Sequence, residues 1–334
     1  MTQTVLAATD TSALPDPSTL DGPLVAAVGG ILPNSVIRAV RRLEPHTEGG
    51  VLLVAVAEPP TSTLIGSEPI AIPEDFFDSE RRELDADLRS RLRKFDGCVA
   101  TWVPHIVFGF PAPALTDYAL EANASLLVMG LGRHRTLDRA FGSETTLQAI
   151  RLARCPVLAV HPDLDSPFRD VVVATDFSVP SAFAARAALP LLAGVATVHL
   201  VHVWQPSTTT EPRAVASDER YLQSLPGRFR RFLAALKVRG DVTVKSIVRE
   251  GKTAECVIEY ARAHHADLVV AGRRGLSMLH RVLVGSQTTA LLRGAPCSLL
   301  VVPEPPAPIR ERLRLLLDDE MRTANPTNDL GAFS

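Results

Sequence analysis

The chain has 334 residues, of which 46% are hydrophobic and 22% charged, and a formal net charge of −2. So even a balance excludes a chain built to hold nucleic acid or a membrane surface by charge. No apolar run reaches about 18 residues, so no transmembrane helix is expected, and the four cysteines form no C-x-x-C pair, as in a reduced, cytoplasmic protein.

The length suits two domains, each able to bury its own core. Residues 1–21 mix Thr, Ser, Asp and Pro without period, and are expected to be a disordered leader. The N-terminus lacks a basic start followed by an apolar core, so no secretory signal is expected. From residue 24 short apolar runs alternate with longer amphipathic ones. Strands are expected at 24–28, 51–57, 99–107, 125–129 and 157–160, with helices at 35–43, 77–95, 112–122 and 143–152 between them. A proline-rich loop covers 59–73. Strands alternating with helices specify a parallel α/β sheet with right-handed crossovers.

The programme then repeats. Strands are expected at 171–175, 197–203, 242–248, 268–271 and 298–302, with helices at 180–192, 222–236, 253–263 and 286–292. Leu53-Val54 and Leu200-Val201 differ by 147 positions, as do Val25 and Val172. Farther on, Ala124-x-Leu126 matches Ala266-x-Leu268 at 142, and Gly142-Ser143-x-Thr145-Thr146 matches Gly285-Ser286-x-Thr288-Thr289 at 143. A duplication accounts for these offsets. It divides the chain into a first domain at 22–163, a second at 168–303, and a tail at 304–334 with a short amphipathic helix carrying Ile309, Leu313, Leu316 and Leu317 inward.

Chemistry-bearing residues gather at 267–289. A strand runs into Gly272, Gly275 follows, and nine residues later Gly285-Ser286 opens a helix. Glycine lets backbone N–H groups approach a phosphate, and a helix N-terminus adds unpaired donors and a positive dipole end. The first turn, Ser286, Gln287 and Thr288, belongs to this candidate cradle, and Arg273 is the basic side chain expected at the phosphates. Asp176 closes the run V-V-V-A-T-D-F-S, at the strand end where open parallel sheets bind ligands. Capping of the following helix by Asp176 or Ser178 is the structural alternative. Gly251-Lys252-Thr253 imitates a Walker A ending, but Ser246 stands where that motif needs glycine. His199 and His202 share one strand and read as core or edge residues, since no metal-ligand spacing accompanies them. No G-x-S-x-G or H-E-x-x-H run is present.

Together, G-x-x-G, nine residues, G-S and the strand-end Asp resemble the universal stress protein family, over about 22–162 and 168–303. The resemblance implies two tandem doubly wound α/β domains, each a five-stranded parallel sheet in the order 3-2-1-4-5 with helices on both faces. It implies an ATP site in the second domain, with or without Mg²⁺. Gly272, Gly275, Gly285 and Ser286 would hold ribose and phosphates, and Asp176 and Val203 the adenine end. It also implies a role in a stress or dormancy response and a homodimer through the last strands or an internal pseudo-dimer of the two domains; the near-zero net charge gives no reason to expect a nucleic-acid or membrane partner. The first domain departs from the pattern. Gly29 replaces the strand-end Asp, and Gly130-Leu131-Gly132 is one residue short, so little or no nucleotide binding is expected there. A nucleotide-free scaffold and a slow ATP-hydrolysing enzyme remain the competing readings.

Overall fold

The computed structural model describes residues 19–28, 34–58, 76–95, 102–131, 143–207, 211–273 and 286–318. The first half contains β1 (Leu24–Val28), α1 (Asn34–Leu43), β2 (Val51–Ala57), α2 (Phe76–Leu92), β3 (Pro104–Phe108), α3 (Pro111–Glu121), β4 (Leu126–Gly130), α4 (Ser143–Leu152) and β5 (Val157–Val160). The second contains β6 (Phe168–Ala174), α5 (Val179–Ala188), β7 (Leu192–Trp204), α6 (Pro212–Leu236), β8 (Val242–Glu250), α7 (Thr253–Ala263), β9 (Leu268–Gly272), α8 (Ser286–Gly294) and β10 (Ser298–Val302); α9 (Ala307–Asp318) follows.

Within each half the strands are parallel and take the order implied by the resemblance, β3-β2-β1-β4-β5 and β8-β7-β6-β9-β10. The apolar runs explain why these strands lie inside. Leu24–Val28, Val157–Val160 and Leu268–Gly272 are buried throughout, as strands covered by helices on both faces must be. Alternate residues feed two cores. Leu24, Ala26 and Val28 point to one layer of helices, Val25 and Ala27 to the other.

The halves are joined by one antiparallel pair. Leu158 of β5 faces Leu300 of β10, with Val157 opposite Val301 and Ala159 opposite Leu299. The result is a single ten-stranded sheet, and both cores run through the seam. Of the two pairings that the resemblance implies through the last strands, the chain shows the internal one. Strand β5 is occupied by β4 and β10, and β10 by β5 and β9, so neither keeps a free edge for a second copy. The internal pairing takes its place.

Smaller departures have local causes. The last leader residues join the fold: Leu20 is buried and bridges to Thr47, its N–H donating to the His46 carbonyl. Strand β3 begins at Pro104, and the start of the expected run, like the loop at 59–73, lies outside the described residues. Helix α6 begins ten residues before the expected segment, with an exposed polar first half that carries no apolar stripe. In the tail, α9 buries Leu313 completely, while Ile309, Leu316 and Leu317 are half-buried. Residues 1–18 and 319–334 lie outside the described residues.

Candidate functional site

Strand β6 lies between β7, which follows it in the chain, and β9, which arrives later from the other side. Its C-terminal end is therefore the switch point of the second half, where an open α/β sheet leaves a crevice. Asp176 stands there, one residue past Thr175, at the entry to α5. Its Oδ1 accepts from the Ser178 N–H at 3.0 Å and from the Ser178 hydroxyl at 2.5 Å. Ser178 is in turn the N-cap of α5, accepting from the Ser181 N–H. Thr175 Oγ1 accepts from the Phe177 N–H at 3.0 Å. The capping reading of Asp176 and Ser178 is thus realised, but it uses one carboxylate oxygen. Oδ2 has no protein partner among the described residues.

The turn is held under strain. Phe177 has φ of 62°, a left-handed conformation rare for a bulky side chain. Its ring is packed in place by His202 at 4.6 Å between centroids and by Phe229 at 4.8 Å, edge to face. His202, in β7, fixes the same turn by hydrogen bonding. Its Nδ1 donates to the Thr175 carbonyl at 2.8 Å, which leaves Nε2 to accept from the Tyr221 hydroxyl of α6, also at 2.8 Å. Burial pushes the His202 pKa down, so the neutral tautomer that makes both bonds is favoured. Burial likewise pushes the Tyr221 phenol up. His202 was legible in the sequence only as a buried strand residue, because Tyr221 and Thr175 are 19 and 27 positions away. His199 faces the opposite layer, where its Nδ1 lies 2.9 Å from the Tyr260 hydroxyl. Among the described residues no group of His, Cys, Asp and Glu could hold a metal ion.

The remaining candidates divide. Val203, next to last in β7, is half-buried and lies one strand from Asp176. Gly272 ends β9 beside β6 and β10. Ser286 opens α8, and Thr288 in its first turn is buried. Gly275 and Gly285 lie outside the described residues, as do Gly29, Gly132 and Gly142 of the first half.

Two side chains are engaged elsewhere. Arg273, expected at the phosphates, reaches across the seam: its Nη1 donates to the carbonyls of Ile150, Arg151 and Ala153 at 3.3, 3.1 and 2.8 Å. Those carbonyls end α4, and a helix C-terminus attracts a cation. The Arg273 N–H is also taken, by the Val302 carbonyl. Gln287 turns to α7, its Oε1 accepting from the Ala254 N–H at 3.0 Å, so it closes that helix's N-terminus.

A tandem pair of doubly wound domains, with a strand-end carboxylate in the second, defines a class of α/β folds. The sequence profile of the Universal stress protein family matches residues 32–161 and again 167–303, and the chain belongs to that family. It is 29% identical over 142 residues to the Universal stress protein MJ0531 of Methanocaldococcus jannaschii, covering 41% of this chain and 84% of the relative. It is 28% identical over 206 residues to the Universal stress protein Rv2005c of Mycobacterium tuberculosis, covering 59% and 67%. In fold it is similar to a universal stress protein from Archaeoglobus fulgidus, with a TM-score of 0.55 at 15% identity over 84% of this chain and 96% of that one.

Proposed function

We propose that the second half binds one adenine nucleotide, ATP, in the crevice beyond β6, β7 and β9, and that the chain acts as a nucleotide-dependent regulator in a stress or dormancy response. The observation that carries this reading is the divided role of Asp176. One oxygen locks the strained turn, and the other has no protein partner among the described residues at the switch point. An ordered acceptor of that kind suits the exocyclic amine of adenine. Val203 lines the adenine end. Gly272, Gly275, Gly285 and Ser286 give the phosphates backbone donors, and the Thr288 N–H in the first turn of α8 adds another with the helix dipole. Arg273 and Gln287 act from behind, one tying the base of the loop to α4 and the other tying α8 to α7. Family membership supports the reading.

Asp176→Asn is the sharpest test. Asn keeps Oδ1 for Ser178 and so preserves the turn, but presents an NH₂ where adenine also presents one. By calorimetry the wild type binds about one ATP per chain. Losing a charge-assisted hydrogen bond of about 1.5–3 kcal/mol weakens Asp176→Asn roughly 10- to 100-fold. Gly285→Glu places a carboxylate at the phosphates and abolishes binding. A wild type that takes up no ATP removes the proposal.

A further inference from the structure

The sheet reads the same from either end, and the β5–β10 pair relates its halves by an approximate two-fold axis. Any gap at the junction should therefore occur twice, once beside α1 and once beside α5. The two are not alike. Beside α1 the connection from β5 to β6 fills the space. Leu164 inserts there, 6% exposed, as part of the core. Arg38 Nε donates to its carbonyl at 3.0 Å, and Arg42 donates to the carbonyls of Asp165 and Ser166. On the outer side of this connection, between α1 and Leu164, Phe168 and Leu191, lies a small cavity of about 30 Å³, room for little more than one water.

Beside α5 nothing among the described residues corresponds to Leu164. After β10 the chain passes through Pro303–Pro306 and turns away into α9, which packs on α5 and α6. A cavity of about 330 Å³ is left between the starts of β4 and β5, helix α5 and this proline segment. The helices record the difference. Val36 and Val40 of α1 are buried, whereas Phe183 and Ala187, their equivalents at the 147 offset, are half-buried and line the cavity.

We propose that this cavity is a second ligand site, distinct from the nucleotide crevice, and that it takes a small molecule with an apolar body and a carboxylate head. The volume is in the range of small-molecule sites, about 300–1,000 Å³. The occupied gap shows the pattern to be matched: an apolar group seated between the halves, with carbonyl oxygens beside it held by arginines. The open gap offers apolar walls and two arginines, Arg186, whose Nη1 is engaged by the Ala235 and Leu236 carbonyls, and Arg154. The Arg154 guanidinium is exposed and has no partner among the described residues. Of the carboxylates there, Glu304 is within 4.0 Å of Arg310, and Asp21 is exposed. Cys155 does not react with the ligand. Burial pushes its thiol up to about 11, so at neutral pH it is a soft, uncharged part of the wall.

Decanoate is the probe. Calorimetry on the delipidated full-length chain is expected to show one decanoate bound. Ala187→Trp, which fills the cavity, abolishes it. Arg154→Gln weakens decanoate about tenfold, as loss of a charged contact does, and leaves decanol unchanged. A second measurement needs no variant: bound decanoate slows thiol labelling at Cys155 and leaves Cys256 unaffected. The site is refuted by a wild type that does not bind, by Ala187→Trp that binds normally, or by Cys155 labelling that decanoate does not slow. Decylamine binding as tightly as decanoate refutes the carboxylate assignment.

Discussion

Replacing His202 by Phe isolates what holds the Asp176 turn. The ring and its stacking on Phe177 are retained, and two 2.8 Å hydrogen bonds are lost. The Thr175 carbonyl is left in a buried site without its donor, at about 1–3 kcal/mol. The half-buried Tyr221 hydroxyl can turn to water, so its net loss is about 1 kcal/mol. Together the variant is expected to be less stable by about 3 kcal/mol at neutral pH. The difference should also depend on pH in one direction. Burial holds the folded-state pKa of His202 below 6.5, so the unfolded chain binds that proton first. The histidine's contribution is complete above about pH 6.5 and is lost as pH falls from there towards the depressed folded value. For one proton the limiting slope is about 1.4 kcal/mol per pH unit. Urea unfolding followed by far-UV circular dichroism, at about pH 8, 6.5 and 5.5, measures both quantities. A penalty below about 0.5 kcal/mol at pH 8, or a gap that does not narrow between pH 6.5 and 5.5, refutes the role given to His202.

Arg273→Met is expected to cost about 2 kcal/mol, from the lost contacts with the end of α4, and to speed hydrogen exchange in the last turn of α4. An unchanged melting temperature would show that the contact across the seam contributes nothing. Leu164→Ala empties the filled gap and should cost about 3 kcal/mol, as for buried leucines elsewhere. A loss under about 1 kcal/mol in denaturant melts would mean that Leu164 is not part of the shared core.

Most of the scaffold was legible because its signal is local. Runs such as Val51–Ala57 and Ser298–Val302 are apolar on both faces, and strands buried between helix layers leave that pattern whatever their neighbours. The Asp176 position was legible for the same reason, since a carboxylate after a buried strand marks its end. What escaped depends on contacts between distant parts of the chain. Nothing around Arg273 indicates that the end of α4, some 120 positions earlier, lies against it. The partnership of His202 with Tyr221 needs α6 folded over β7, and Gln287 needs α7 beside α8. The unequal gaps at the junction come from where two connections lead, which residue spacing does not encode.

The seam also has a consequence for biosynthesis. Val157 of β5 awaits Val301, about 140 residues later in the chain. During translation the first half can fold while β5 still presents an open edge, and that edge closes only when the last strand has left the ribosome. Until then it is a template for any other strand, including β5 of a neighbouring nascent chain on the same message. Truncation anywhere before Ser298 would make that exposure permanent. Premature termination should therefore yield paired or aggregated half-molecules.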